Sequence, residues 1–248
     1  MGGMSKIRER ALEIFLQAKE MPGYTLSWES HSKNVARIAE EVAKAMAFSS
    51  VKKIDLGIGS KDGYNNVTSE SSVDVVFAAG LLHDVGRCVK KDSGLKHPIL
   101  GYELLKKEGL EIPARIAMTH TYYGYFEIDR SEFWSELGER DTLKTKQFLE
   151  NLVFDDIDLL VQLADNMGHA LGVMTISDRF CDILTRHNIR SASDHLKELY
   201  RIKQYFDKKT GINIYNLFRD EILKTTMMEP NGSIGREQKI TDETEDNL

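Results

Sequence analysis

Ala78-Ala79-Gly80-Leu81-Leu82-His83-Asp84-Val85-Gly86-Arg87 is the stretch on which the fold turns. With the apolar residues before it, it reads as a helix over about 73–88 that is apolar on nearly all sides through Leu82. A helix without a polar face belongs at the centre of a bundle. A short strand over 73–77 is the rival reading, because isolated apolar runs are ambiguous. The apolar run ends in a carboxylate, and burying Asp84 alone would be costly. The only other charged residue in the ten before it is Asp74, which has the wrong sign. Arg87 offers a salt bridge three residues on; a metal ion is the stronger partner.

The same helical period extends both ways. Ile7, Ala11, Ile14, Phe15 and Ala18 mark a first amphipathic helix with Ser5 as its cap, ended by Pro22 and Gly23. A second runs over about 30–48, with Val35, Ile38, Ala39, Val42 and Met46 in one stripe. Pro98 and Pro113 open helices over about 98–107 and 113–123, closed by Gly109 and Gly124. A polar stretch containing Trp134 precedes a long helix over about 156–171. Three more follow, over about 177–187, 193–208 and 213–226. The expectation is one all-α helical bundle over 1–228, with its core over about 30–170. A mobile loop insertion at about 49–72 separates the second and third helices, and 229–248 reads as a disordered acidic tail.

The 248 residues suit one or two domains and can bury a core without covalent staples. A content of 41% hydrophobic and 29% charged residues is that of an ordinary globular protein. Two cysteines, Cys88 and Cys181, make no disulfide framework, so a reducing cytoplasm is the expected compartment. No apolar run is long enough for a membrane span, and the N-terminus lacks the apolar core of a secretory signal. A net charge of -6 disfavours duplex nucleic acid as a partner but allows a local basic pocket.

His31 shares a helix face with Val35 and Val42, and Asp165 shares one with Val161 and Asp158. Singly, each reads as an ordinary buried polar residue bonded to a neighbour. Jointly, His31, His83, Asp84 and Asp165 bring a mixed nitrogen and oxygen ligand set to apolar helix faces. Such a set suits a divalent ion such as Fe, Mn, Zn, Ni or Mg with positions open to water. His97, just before Pro98, and His120, four residues after Ile116, extend it. His169 reads as core, surface or outer support, and His187 and His195 read as solvated. Arg87, Lys90, Lys91 and Lys96 form a local basic cluster with Asp92 the only acid among them. Arg87 is the favoured phosphate-binding and catalytic cation, with Lys90 and Lys91 beside it. Tyr122 and Tyr123 read as packing residues, with stacking on a base as the alternative.

The order His31, then His83-Asp84, then Asp165 on successive helices resembles the HD-domain superfamily of metal-dependent phosphohydrolases. LLHDVGR is similar to its His-Asp-Ile-Gly variant, with Val85 in place of isoleucine and Gly86 kept. KHPILGYELLKKEGL, followed by ARIAMTHTYYG, resembles the extra histidine pair of subgroups with larger metal sites, and QLADNMG the closing aspartate helix. The similarity covers about 30–168. It implies that His31, His83, Asp84 and Asp165 hold a first metal, and that His97 and His120 complete a second site or bind substrate phosphate. The cofactor would be one or two divalent ions of Fe, Mn, Ni, Co or Zn. Hydroxide on such an ion would attack the phosphorus of a small phosphorylated compound, with a nucleotide the expected substrate. Asp84 would hold and bridge the metals. Two departures narrow the choice. Arg87 stands where deoxynucleoside monophosphatases carry glutamate, and Thr121 follows His120, so the paired histidines of cyclic-dinucleotide phosphodiesterases are missing. An HD-type di-iron oxygenase and a non-catalytic nucleotide-binding regulatory module remain the alternatives.

Overall fold

A computed structural model describes residues 5–48, 69–122, 131–187, 189 and 191–227. The expected 229–248 tail, residues 49–68 of the expected insertion, Tyr123 and Gly124 lie outside these residues. Residues 69–72 open the third helix.

The chain is built from α1 (Lys6–Ala18), α2 (Leu26–Phe48), α3 (Ser69–Leu82), α4 (Gly86–Val89), α5 (His97–Lys107) and α6 (Glu111–Thr119). Then come α7 (Ser131–Leu137), α8 (Glu139–Glu150), α9 (Asp156–Asp165), α10 (Ile176–Arg186), α11 (Ala192–Thr210) and α12 (Arg219–Thr226). A two-stranded antiparallel hairpin, β1 (Gly168–His169) and β2 (Gly172–Val173), joins α9 to α10. The architecture is the all-α bundle that the periodicity predicts.

α3 is central: α1, α2, α6 and α9 all pack on it. Its small residues allow close crossing. A Cβ at Gly80 would stand 2.9 Å from the Ala36 Cα of α2. Val35, Ile38, Ala39 and Val42 of α2 are wholly buried, as the stripe predicts. No described helix is long and apolar enough to cross a membrane.

Several boundaries differ from the expected ones. The helix expected over 73–88 ends at Leu82; residues 83–85 form a turn before α4. Short-range bonds close it, from Val85 N to Leu82 O at 3.1 Å and from Arg87 N to Asp84 O at 3.0 Å. His83 and Asp84 therefore stand at the end of a buried helix rather than within it. The helix expected to reach residue 171 stops at Asp165, where Asn166 caps it and the hairpin turns the chain back. The polar stretch around Trp134 holds α7 and α8. α6 begins at Glu111, ahead of Pro113, and a 3-10 turn at Ile214–Phe218 precedes α12. Ser5 occupies the N-cap position of α1 but makes no side-chain cap bond. His195, expected to be solvated, is buried, because α11 packs on α2, α9 and α10.

Candidate metal centre

Five turns and helix ends deliver the ligand candidates to one place. His31 comes from the first turns of α2, and His83 and Asp84 from the turn after α3. His97 opens α5, His120 follows α6 and Asp165 ends α9. Gly86 permits the closest approach. A Cβ there would lie 2.0 Å from the His97 carbonyl oxygen and 2.5 Å from Gly101 N, so only glycine lets α5 start against α4. Trp28, stacked on Phe15, donates its indole N–H to the Asp84 carbonyl at 3.0 Å.

The imidazoles share one design. His31 Nδ1 lies 3.1 Å from Gly168 O, and His83 Nδ1 2.7 Å from Gly80 O. His97 Nδ1 lies 2.6 Å from Gly94 O, and His120 Nδ1 2.9 Å from Ala117 O. A carbonyl only accepts, so each Nδ1 carries the hydrogen and each neutral ring presents a bare Nε2 lone pair. Those lone pairs converge. His31 and His83 Nε2 are 3.2 Å apart, as are His97 and His120 Nε2. Asp165 Oδ1 lies 3.1 Å from His31 Nε2 and 3.6 Å from His83 Nε2. Asp84 Oδ1 lies 3.1 Å from His97 Nε2 and 3.5 Å from His120 Nε2, yet it is buried and accepts no hydrogen bond.

Lone pair facing lone pair is repulsive, and an orphaned buried carboxylate oxygen is costly. A cation between them removes both penalties, so the residues fit divalent metals. The arrangement offers two places: His31, His83 and Asp165 around one, and His83, Asp84 and His120 around the other, with His97 against Asp84.

The electrostatics agree. Burial raises the Asp84 and Asp165 carboxyls, but their neighbours outweigh it and hold both well below the ordinary range: the Arg87 charge leads for Asp84, and the close imidazoles of His31 and His83 for Asp165. Burial, and then the Arg87 charge, hold His97 far below its ordinary value; burial lowers His31 too. His83 is raised instead, because the Asp165 carboxylate outweighs burial.

Asp84 divides its oxygens. Oδ1 faces the imidazoles, while Oδ2 accepts from Arg87 Nε at 2.5 Å. Arg87 Nη2 also lies 3.4 Å from His97 Nε2, and half of this side chain remains exposed. The rest of the basic cluster stands apart: Lys90 and Lys91 are exposed with no described contact to the centre, and Lys96 pairs with Asp141. Tyr122 is buried and stacks on Trp134, as a packing residue does.

Sequence reasoning missed Trp28 and Arg179. Arg179 Nε donates to Gly168 O at 3.0 Å, the same carbonyl that orients His31. Neither carried a signal beyond its type; an aromatic or an arginine on an amphipathic helix has many ordinary uses.

A family model for the HD domain matches residues 28–167, over half of the chain. No curated protein and no solved structure matches it. HD domains bind divalent metals and are generally metal-dependent hydrolases. The matched span contains all six convergent candidate residues, and the chain belongs to the HD-domain family.

Proposed function

We propose that the protein is a metal-dependent phosphohydrolase that cleaves an ester or anhydride bond of a small phosphorylated compound, with a nucleotide the favoured substrate. The observation that carries this reading is the convergence of four Nε2 lone pairs and two carboxylates beside a half-exposed guanidinium. Bound divalent ions would lower the pKa of water and polarise a phosphoryl oxygen. His31, His83 and Asp165 would hold one ion, and Asp84, His97 and His120, with His83 adjacent, the other.

The chain's own groups do the rest. Four backbone carbonyls fix the imidazole tautomers before any ligand arrives, so no reorganisation is needed. Arg87, tethered through Nε to Asp84 and with Nη2 beside His97, keeps half of its side chain exposed, so its other N–H groups would be free to meet phosphoryl oxygens that gain charge during transfer. Walls with ligands as little exposed as His83 (0%) and His97 (2%) exclude bulk water and strengthen each of these contacts.

The test is phosphate release by protein reconstituted with Mn, Fe, Co, Ni or Zn, assayed on nucleoside mono-, di- and triphosphates and a generic aryl phosphate. Metal-dependent release of phosphate or nucleotide is expected. Oxygen uptake with a candidate substrate and no cleavage of any phosphate bond would contradict the reading.

A further inference from the structure

Three of the four imidazoles take their orientation from their own stretch of chain. Gly80, Gly94 and Ala117, whose carbonyls face Nδ1 of His83, His97 and His120, each lie three residues before the histidine they orient. Such a bond holds wherever its own turn holds. His31 is different, because its acceptor, Gly168 O, lies 137 residues away in β1. The orientation of this one ring therefore depends on how the hairpin is held against α2.

Three contacts hold it. A Cβ at Gly168 would stand 2.7 Å from Val35 Cγ2, so the hairpin backbone lies directly on α2. One turn after His31, Asn34 Nδ2 donates to the next carbonyl of the hairpin, His169 O, at 2.7 Å. From α10, Arg179 Nε donates to Gly168 O at 3.0 Å. A carbonyl oxygen has two lone pairs, and on Gly168 His31 takes one and Arg179 the other.

Two ordinary uses of an arginine do not account for Arg179. It is only 9% exposed, and its Nη1 bonds Asp182 Oδ2 at 2.5 Å. Yet the Asp182 side chain is 30% exposed and the same oxygen accepts from Arg186 Nη2 at 2.7 Å, so that carboxylate is served without a buried guanidinium. Its charge gives no reason either, since a cation this close to His31 repels a metal ion. The bond to Gly168 O is what remains. The Asp182 contact fixes the other end of the guanidinium, and the planar fork then holds Nε on the carbonyl.

We propose that Arg179 is a positioning residue of the metal place formed by His31, His83 and Asp165. Acting through Gly168 O, and with Asn34 holding the next peptide, it keeps His31 Nε2 aimed at the other two. The other place, whose imidazoles are oriented by their own turns, does not depend on it. The inference rests on the metal-binding reading and not on the hydrolytic one.

The experiment titrates Zn, or whichever of Fe, Mn, Co and Ni wild type retains, against a fluorescent chelator and reads each binding step. Arg179→Met removes the donors and keeps an unbranched side chain of similar length, while Asp182 keeps Arg186. The step that His31→Ala removes should weaken by about tenfold or more, the usual effect of losing a residue that orients a ligand. In a His31→Ala background Arg179→Met should cost nothing further. Asn34→Ala, a good helix former at a half-buried position of α2, should show the same pattern with a smaller loss, and it carries the test if Arg179→Met fails to fold. Tighter binding in Arg179→Met would make Arg179 only a repelling charge, and unchanged binding would make it only a latch on Asp182. A loss that persists without His31 would be a general loosening. Each of these three results overturns the proposal, and for Asn34→Ala the last two do so. Wild type that takes up no metal removes the metal reading and the proposal together. The selective loss in a protein that hydrolyses nothing supports the proposal and removes only the hydrolytic reading.

Discussion

Helix α9 buries carboxylates at both ends and treats them in opposite ways. At its start, every oxygen of Asp155 and Asp158 has a protein donor. Asp155 Oδ1 accepts from Ile157 N at 2.9 Å and Asp158 N at 3.2 Å, and Asp158 Oδ2 accepts from Asp155 N at 3.0 Å. Thr119 donates to Asp158 Oδ1 at 2.8 Å, and Arg115 bonds Asp155 Oδ2 at 2.7 Å. At its end, Asp165 meets the bare nitrogens of His31 and His83. Burial alone does not separate a structural carboxylate from a ligand. The partners do: donors mark the first, and converging lone pairs the second.

That contrast can be broken from either end. Asp165→Ala should have the largest effect, lowering turnover by about 10³ or more as metal is lost. In the presence of a chelator the same variant should unfold close to the wild-type denaturant concentration, because among the described residues no backbone or hydroxyl donor holds Asp165 as such donors hold Asp158. A strongly destabilised chelated variant would make Asp165 a structural residue like Asp158.

Arg87→Ala should lower turnover by about 10²–10³, the usual cost of one charged contact in the transition state. Metal content by elemental analysis should stay near wild type. Unchanged kinetics would reduce Arg87 to a salt-bridge partner of Asp84.

Arg115→Met should cost about 3–5 kcal/mol of stability by chemical denaturation, because it strands two buried carboxylates, and should leave metal content intact. Burial lifts the Asp158 carboxyl above its ordinary value, with Arg115 opposing and Asp155 adding to the rise. A raised carboxyl favours the fold below an unfolded value near ~3.9 and loses that contribution as pH rises through the folded value. The variant should therefore be worse at pH 8 than at pH 5, and a cost equal at both would argue against that coupling.

Trp28→Phe should have the smallest effect. It leaves the Asp84 carbonyl without its donor at a cost of about 1–3 kcal/mol. A few-fold loss of metal affinity should accompany it, measured by competition with a chelator. An unchanged affinity would confine Trp28 to core packing.

Much of this was legible in the sequence, for a physical reason. His31, His83, Asp84 and Asp165 end or interrupt apolar helix faces, where a polar group without a partner is conspicuous. The central position of α3 follows from its lack of a polar side. The point where α3 ends was not legible, because periodicity does not register a turn closed by short-range bonds, and the alanine-rich run continues smoothly into Val85 and Gly86. The end of α9 was missed likewise, since Met167 to Leu171 keeps an acceptable helical pattern while Gly168 and Gly172 form the hairpin. Arg179 has the spacing of any residue on an amphipathic helix; its bond to the carbonyl that orients His31 emerges only when α10 is placed beside the hairpin. His195 shows the reverse error, a polar neighbourhood in sequence that is buried in space.

The central claim is that the six residues hold metal. It is tested most directly by reconstituting wild type and His83→Ala with Fe, Mn, Co, Ni or Zn and counting ions per chain by elemental analysis after removal of excess. His83 is the residue common to both candidate places. Wild type should retain one or two ions and His83→Ala should lose most of them. Wild type that retains none of the five metals, or a variant that retains as much as wild type, would contradict the account.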